Sequence, residues 1–292
     1  MTKHFIEYLL TAAMAVMTAQ SCVSKIDPIF DESSANRVEA LAERLNETLT
    51  GAPNGWLLEY YPSSRQYYGG FNVFLSFSEG NKVKVGSEVA GKGKTATSTY
   101  SIYQSAGCVL TLDTYNEVMH YFADPETTGG QGAGFGFEGD FEFNVLDLQD
   151  EKITLKGRKT GSTMTMTPMP VSMSWDDYIV ALKEEESAIS KHTRIRYQTA
   201  DNKYDGRING RTLEIFSEVD GEQVTTSYPF IFNLMGVTFY KPLELGDERI
   251  DGLVYNPDMA DGGAFIPVND GAEGYFVPTY PTITDYLMDK NW

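Results

Sequence analysis

Apolar and polar positions divide this chain into two halves, each of which opens with a predicted helix and continues in predicted strands. The first helix spans residues 34–50, and its apolar stripe recurs at spacings of three and four: Val38, Leu41, Leu45 and Leu49. The second spans residues 174–190, where Asp176 and Asp177 lie in the first turn and favour a helix N-terminus. After each helix the apolar period changes to two, which is typical of half-buried strands.

The alternating segments are short, and turns rich in glycine, asparagine and aspartate separate them. Phe71, Val73 and Leu75, for example, share one face of a predicted strand. Short strands with such turns favour antiparallel pairing. We therefore predict an α+β protein with a predominantly antiparallel β sheet or sandwich and one helix leading each half. The halves are residues 34–168 and residues 169–292, either as separate domains or packed as one unit.

The first residues indicate export and membrane anchoring. Lys3 gives a positive end, an apolar stretch of about fifteen residues follows, and small residues precede Cys22. The stretch is too short to span a bilayer comfortably. We predict a lipoprotein signal peptide over residues 1–21, acylation of Cys22 with palmitate among the chains, and a tether over residues 22–33. Acyl chains can hold a protein on a membrane, because each buried methylene contributes about 0.8 kcal/mol.

Charge and cysteine content narrow the choice of partners. The formal net charge is −18, which argues against nucleic acid, because binding to phosphates needs a surplus of Lys and Arg. The chain has two cysteines, so acylation of Cys22 leaves Cys108 without an intrachain disulfide partner. Cys108 alternates with Leu110 and Leu112, which predicts a buried, inert thiol on the apolar face of a strand.

Two groups of side chains are candidates for catalysis. Asp113, Glu117 and His120 would converge if their segment formed one helical turn after a strand, and a carboxylate beside a histidine is the start of an acid–base pair. The alternative is a loop in which His120 hydrogen-bonds to backbone carbonyls. Asp140 and Glu142 would share a strand face, where paired carboxylates could serve glycoside hydrolysis. A solvated sheet face is the simpler interpretation of that pair.

Metal and cofactor sites have weaker support. Asn256, Asp258 and Asp261 gather oxygen ligands suited to a cation, with a solvated turn as the alternative. The glycine-rich run over residues 129–136 lacks the Lys-Ser/Thr of a phosphate-binding loop, so we predict a hairpin tip or a flap there. The sequence carries neither a usual zinc motif nor a Gly-x-Ser-x-Gly nucleophile elbow, and we expect no cofactor.

Aromatic residues concentrate near predicted turns and are the candidates for ligand binding. The chain contains 18 Tyr, 16 Phe and 3 Trp, and two tyrosine pairs adjoin turns: Tyr60-Tyr61 and Tyr67-Tyr68. Tyrosines on a rigid sheet edge are good platforms for sugar rings or protein partners. Most aromatic residues of a β protein belong to its core, so a core role is the alternative for each of the four.

Short motifs spread over nearly the whole predicted mature chain carry a family resemblance. They are Ser34-Ala35-Asn36-Arg37, Gly55-Trp56, Tyr60-Tyr61-Pro62, Gly69-Gly70-Phe71-Asn72, Asp113-Thr114-Tyr115-Asn116 leading to His120, Gly139-Asp140-Phe141-Glu142-Phe143, Pro229-Phe230 and Gly236-Val237-Thr238-Phe239-Tyr240-Lys241-Pro242-Leu243. Together they resemble a family of Bacteroidetes lipoproteins catalogued as domain of unknown function 4302. The resemblance implies an envelope lipoprotein with no established activity and no catalytic residues to carry over. Lipoproteins of this kind often look like accessories of outer-membrane nutrient importers.

The expected function combines this resemblance with the anchor and the turn aromatics. We expect a non-enzymatic lipoprotein of the outer membrane, accessory to the capture or import of a glycan or a peptide, with importer components as further partners. Val23-Ser24-Lys25-Ile26 separate Cys22 from the first acidic residue, Asp27, so the periplasmic and the cell-surface face both stay open. One alternative is a carboxylate-dependent hydrolase of the cell envelope. A second is a structural or adhesin-like surface subunit, which long unpaired edge strands would support.

Overall fold

The computed structural model describes five ranges of the chain: residues 34–126, 134–200, 202–260, 262–269 and 271–280. The predicted signal peptide, Cys22, the predicted tether and residues 129–133 of the glycine-rich run lie outside these ranges. Within them, no helix is both long enough and apolar enough to cross a membrane.

Three helices and sixteen strands make up the regular structure of the described residues. The helices are α1 (Ser34–Gly51), α2 (Glu117–His120) and α3 (Trp175–Ile189). The first eight strands are β1 (Trp56–Tyr60), β2 (Phe71–Ser78), β3 (Lys82–Ser87), β4 (Thr95–Gln104), β5 (Cys108–Leu112), β6 (Glu142–Gln149), β7 (Lys152–Gly157) and β8 (Thr163–Pro168). The second eight are β9 (Arg194–Gln198), β10 (Lys203–Asn209), β11 (Thr212–Val219), β12 (Glu222–Asn233), β13 (Gly236–Leu245), β14 (Glu248–Asn256), β15 (Ala264–Pro267) and β16 (Tyr275–Pro278).

Each set of eight strands forms an antiparallel sheet that closes into a barrel. In barrel 1 every strand pairs with the next one along the chain, and β8 returns to pair with β1. Barrel 2 repeats this order from β9 to β16, and β16 returns to β9. The prediction of a mostly antiparallel β protein with few helices is confirmed. The closure of each sheet on itself is a feature that the hydrophobic pattern does not indicate.

The interior of barrel 1 is filled by the alternating side chains that the sequence pattern singles out. Across β1 and β2, Trp56 faces Leu75 and Leu58 faces Val73, and all four are buried in one cluster. α1 joins this cluster through Leu45 and Leu49, both fully buried. The Trp56 indole N–H donates to the Leu49 carbonyl over 3.0 Å, which ties the end of the helix to the first strand.

α3 connects barrel 2 to barrel 1. Its last residue, Ile189, packs among the barrel 2 interior residues Ile195 and Phe230, much as Leu49 does in barrel 1. On the other side, Phe74 points outward from β2 and packs against Trp175 and Tyr178 of α3, at ring-centroid distances of 5.5 and 5.4 Å. Both barrels belong to one compact unit that begins at Val38.

The elements follow the order that the sequence predicts for each half. α1 and barrel 1 lie within residues 34–168, and α3 and barrel 2 within residues 169–292. Ser174 caps α3, because its hydroxyl accepts a hydrogen bond from the Asp177 N–H over 3.1 Å. Whether the halves also fold as separate domains stays a prediction.

Candidate functional site

A cleft of about 1050 Å³ lies where the two barrels meet. Barrel 1 contributes the segment that leads into β2, including Arg65, Tyr67 and Tyr68. Barrel 2 contributes the turn between β10 and β11 and parts of β12 and β13, including Tyr228 and Tyr240. Four tyrosines therefore surround one opening, together with charged side chains on both barrels.

The cleft exists because barrel 2 opens between β12 and β13. β12 is 12 residues long, but it pairs with β13 only through Phe230–Asn233. The register between β13 and β14 shifts between Thr238 and Leu243. Beyond the shift, β13 pairs with β14 and no longer with β12. The two strands therefore diverge, and the cleft fills the space between residues 226–229 and residues 240–244.

The four tyrosines predicted from sequence divide between the cleft and the interior. Tyr67 is 52% exposed, and its hydroxyl accepts a hydrogen bond from the Arg65 guanidinium over 2.7 Å. Tyr68 is half-buried, and its ring packs edge-on against Phe137 at 5.1 Å. Both line the cleft. Their ligand-binding role stays a prediction, but the structure brings this pair to an open surface.

Tyr60 and Tyr61 are buried instead. The Tyr60 hydroxyl accepts from the Asp140 N–H over 2.7 Å and donates to the Asp140 carbonyl over 2.8 Å, inside barrel 1. Burial raises the pKa of Tyr60 far above its usual value. The Tyr61 ring packs on Tyr240 at 4.7 Å behind the cleft, and burial, followed by the nearby Glu59 charge, raises its pKa as well. Tyr60 is therefore part of the barrel 1 interior, while Tyr61 supports Tyr240, which lines the cleft.

A buried ion cluster ties the two barrels together beside the cleft. The Arg211 guanidinium donates two hydrogen bonds to Glu88, over 3.0 and 2.9 Å, and a third to Glu186 of α3 over 3.0 Å. It also donates to the Gly70 carbonyl over 2.6 Å. The Glu88 side chain is 0% exposed and that of Arg211 is 10% exposed. One side chain of barrel 2 therefore bonds to barrel 1 and to α3 together.

Aromatic rings and amides complete the surroundings of this cluster. The Arg211 guanidinium carbon lies 4.5 Å from the Phe71 ring centroid and 5.0 Å from that of Phe232, a cation–π arrangement on both faces. Asn72 donates to Glu88 from its backbone over 2.7 Å and to the Phe232 carbonyl from its side chain over 2.9 Å. Because the charges are paired and hydrogen-bonded, the cluster fits a structural role.

The predicted acid–base group lies on barrel 1, outside the cleft lining. Residues 117–120 do form one helical turn, α2, with Asn116 as its N-cap. The His120 ring nitrogen Nδ1 lies 3.2 Å from the Asn116 nitrogen and 3.1 Å from its carbonyl oxygen. Burial lowers the pKa of His120, and the bond to Asn116 partly offsets this. Asp113 accepts from Ser101 over 2.7 Å, and Glu117 is exposed. His120 thus engages the backbone.

Asp140 and Glu142 have different surroundings. Asp140 precedes β6 and is buried, and its carboxylate accepts hydrogen bonds from the backbone N–H groups of Lys159 and Thr160 over 2.9 and 2.8 Å. The Thr160 hydroxyl donates a third bond over 2.7 Å. Glu142 is half-buried and lies 3.8 Å from the Arg158 guanidinium. Asp140 therefore holds the turn between β7 and β8, and a joint catalytic role with Glu142 stays a prediction.

The metal candidates are only partly described. Asn256 accepts a hydrogen bond from the Asp258 N–H over 3.0 Å, as in a turn, while Asp261 lies outside the described residues. Within the described ranges, no group of three or more His, Cys, Asp or Glu side chains is placed to hold a metal ion. Cys108 is a buried free thiol in β5.

Sequence reasoning did not single out Arg211 or the β12 edge. Gly210, with φ of +57°, indicates the tight turn that precedes β11, but no local signal links Arg211 to Glu88, more than a hundred positions away. The divergence of β12 from β13 has a weak signal in Pro229 and Pro242, because proline cannot donate to a strand ladder.

Comparison with known proteins assigns the chain to a family. No curated protein and no solved structure matches it. The model of one family, described as Domain of unknown function (DUF4302), matches residues 26–257, which is well over half of the chain. This range includes both barrels up to the end of β14 and every residue of the cleft named above. The chain therefore belongs to the family of the domain of unknown function DUF4302.

Proposed function

We propose that this protein is a Bacteroidetes lipoprotein, anchored to the outer membrane through Cys22, that captures an extended glycan or peptide in the cleft between its barrels. It would pass the ligand to components of an importer. The observation that carries the proposal is the cleft itself: an open groove of about 1050 Å³ with exposed tyrosine and peptide backbone along its walls. Tyrosines of this kind supply large contact area at low entropic loss.

The state of the charged groups supports binding over catalysis. Arg211 is held by Glu88 and Glu186. Burial raises the pKa of Glu214, but its hydrogen bonds from Arg207 and Asn209 outweigh burial and lower it. A general acid or base needs a proton-transfer group that is near the reacting atoms and titrates near the working pH. The histidine of the predicted acid–base group is absent from the cleft lining.

A binding measurement with matched tyrosine variants tests the cleft. The purified full-length protein is titrated with a panel of oligosaccharides of five to seven units and with extended peptides. Tyr67→Ala is expected to weaken binding by about tenfold or more, as for a central aromatic contact. Tyr103→Ala is the control, because Tyr103 is also exposed and also bonds to an arginine, Arg158, over 2.8 Å, but lies outside the cleft. Equal effects of the two variants would refute the proposal.

Mass spectrometry of the protein from its native membrane tests the anchor. The expected mature chain begins at Cys22 and carries a diacylglyceryl group on its sulfur. Cys22→Ser is expected to release the protein from the membrane while the barrels fold normally. An unmodified Cys22 in a chain that retains residues 1–21 would remove the proposed location, whatever the result for the cleft.

A further inference from the structure

The first part of β12 is an edge strand within a barrel. Residues 222–229 pair with β11 on one side, from Glu222 opposite Val219 to Pro229 opposite Thr212. On the other side β13 pairs only with Phe230–Asn233. Residues 222–227 are all exposed, as expected for a strand with a partner on one side only.

The backbone direction along this edge follows from one hydrogen bond. The Phe230 N–H donates to the Arg211 carbonyl over 2.9 Å, on the β11 side. Because successive residues of an antiparallel strand point to opposite neighbours, residues 222, 224, 226 and 228 also point to β11. Gln223, Thr225 and Ser227 therefore turn their N–H and C=O groups away from β11, and Ser227 does so within the lining of the cleft. On that side, the described strands pair with β12 only from Phe230 to Asn233, so no strand pairs with these three residues.

The opposite wall is unable to close on this edge. β13 carries its register shift in the facing region, and Pro242 lies there without an N–H. Natural edge strands are usually protected by lysine, proline, a bulge or a covering segment. Residues 223–227 of β12 are Gln-Val-Thr-Thr-Ser, with no proline and no charge, and two of the five are threonine. The unprotected edge begins in the cleft, whose lining includes Thr226 and Ser227, and continues beyond it towards Gln223.

We propose that the edge of β12 over residues 223–227 binds an extended, cationic peptide as an additional antiparallel strand. Strand addition uses backbone hydrogen bonds for affinity and pockets for alternate side chains for specificity. This inference rests on the proposed capture function and names the ligand as a peptide. The three residues that point away from β11 offer six backbone hydrogen-bonding groups over about 13 Å of strand, enough for a peptide of five to seven residues.

Charge selects the peptide over the other occupant, a second copy of this chain. The tip of the β11–β12 hairpin carries Glu218, Asp220 and Glu222, all exposed. The lining of the cleft itself is mixed, with Glu244 beside Lys241 and Arg65, so the acidic charge is concentrated at the tip. The whole chain has a net charge of −18, so two copies repel each other. A peptide with lysine at its ends complements the acidic tip.

Hydrogen exchange of the full-length protein gives the direct test. The probe is a capped heptapeptide of alternating valine and threonine with lysine at both ends, at millimolar concentration. Without peptide, the amides of Gln223, Thr225 and Ser227 are expected to exchange rapidly, while those of Val224 and Thr226 are protected by β11. With peptide, the first three are expected to slow by about tenfold or more. The glutamate-ended version of the probe is expected to bind more weakly.

Three proline and valine variants separate backbone pairing from side-chain contact. Thr225→Pro removes an N–H that points away from β11 and is expected to weaken probe binding by about tenfold or more, with a melting temperature close to that of the wild type. Thr225→Val keeps the N–H and is expected to bind within about twofold of wild type. Thr226→Pro removes an N–H that faces β11, and it is expected to destabilise the hairpin.

The outcomes separate this inference from the proposed function. Oligosaccharide binding that depends on Tyr67, together with no peptide-induced protection of residues 223, 225 and 227, overturns strand addition and leaves capture intact. Concentration-dependent protection without any peptide overturns it in favour of self-association, the structural or adhesin-like alternative. If neither oligosaccharide nor peptide binds, both proposals fall. Unchanged probe binding by Thr225→Pro also overturns strand addition.

Discussion

Barrels 1 and 2 share one strand order and differ in how completely their backbone is paired. In barrel 1, β8 and β1 close the sheet through four residue pairs, and the turn between β7 and β8 is held by the buried Asp140 carboxylate. In barrel 2, the long strand β12 leaves β13 after four pairs, and β15 meets β16 at Phe265 and Phe276 alone. The strand order therefore closes in both halves, but in barrel 2 residues 222–229 of β12 extend beyond the pairing with β13.

The comparison shows that topology does not decide which half carries a site. Barrel 1 uses its buried polar groups to hold loops, so its polar residues contribute stability. Barrel 2 leaves backbone groups facing a cleft, and unpaired backbone groups are a source of binding energy for a ligand that can pair with them. We expect the function of this protein to depend on barrel 2 and on the contacts that hold it against barrel 1.

The largest effect is expected from breaking the ion cluster that joins the barrels. Arg211→Ala leaves the fully buried Glu88 carboxylate without its cation, and we expect a loss of about 3–5 kcal/mol in the free energy of unfolding. Chemical denaturation of the purified protein measures it. Arg207→Ala is the matched control, because the Arg207 side chain is 52% exposed and its pair with Glu214 is expected to contribute about 1 kcal/mol or less. Similar losses in both variants would show that the buried cluster stabilises the protein no more than the pair of Arg207 with Glu214.

The second effect tests whether barrel 1 is a scaffold. Asp140→Ala removes the acceptor of three hydrogen bonds within a buried turn, and we expect a loss of about 2–3 kcal/mol. Ligand binding in the cleft should persist, because Asp140 is not part of its lining. Thermal unfolding and a binding titration check the two statements. An unchanged stability with a lost activity would instead favour the hydrolase alternative.

Sequence patterns predicted the elements of this fold better than their closure. The spacing of Leu45 and Leu49 fixed α1, and alternation in Phe71–Phe77 fixed β2, because burial on one face selects one residue type at every second or fourth position. β10 has a weaker pattern, since its inward face carries Gly206 between Tyr204 and Ile208, and glycine is uncommon inside a strand. Barrel closure depends on strand tilt and stagger, which no single segment records.

The candidate site was predicted only in part, for a related reason. Tyr67 and Tyr68 were found because aromatic residues next to glycine turns are a local signal. Arg211 and the edge of β12 were not found, since their roles arise from Glu88 and from the missing partner strand, both distant in sequence. Asp140 looked like half of a carboxylate pair, but its partners are backbone N–H groups that a sequence does not identify.

A smaller effect on the free energy of unfolding is expected from Glu59, at the barrel interface. Burial raises the pKa of Glu59, and the Lys152 charge opposes this rise. The folded state thus holds the Glu59 proton more tightly than the unfolded state does. Ionised Glu59 therefore opposes folding at neutral pH. This penalty fades as the pH falls through the raised pKa, because the carboxyl becomes neutral. Glu59→Gln should increase the free energy of unfolding at pH 7 by about 1 kcal/mol or less. The exposed Glu117→Gln should change nothing measurable.

The smallest effect compares one histidine from each half. Burial lowers the pKa of His120, with the bond to Asn116 opposing it, and burial followed by the Lys191 charge lowers that of His192. In both cases the unfolded state binds the histidine proton more tightly than the folded state does. The contribution of each neutral histidine to the free energy of unfolding is therefore complete above a pH of about 6.5, and it is lost as the pH falls towards the folded pKa. His120→Gln and His192→Gln should each reduce the loss of unfolding free energy between about pH 7 and pH 5. Denaturation curves at both pH values measure that difference, which is independent of the packing that each substitution removes.

Because His192 also bonds to the Tyr255 hydroxyl over 2.9 Å, a reduced slope for His120→Gln alone would mean that this bond persists when His192 is protonated. The part of the pH dependence that these two histidines cause would then come from His120 alone.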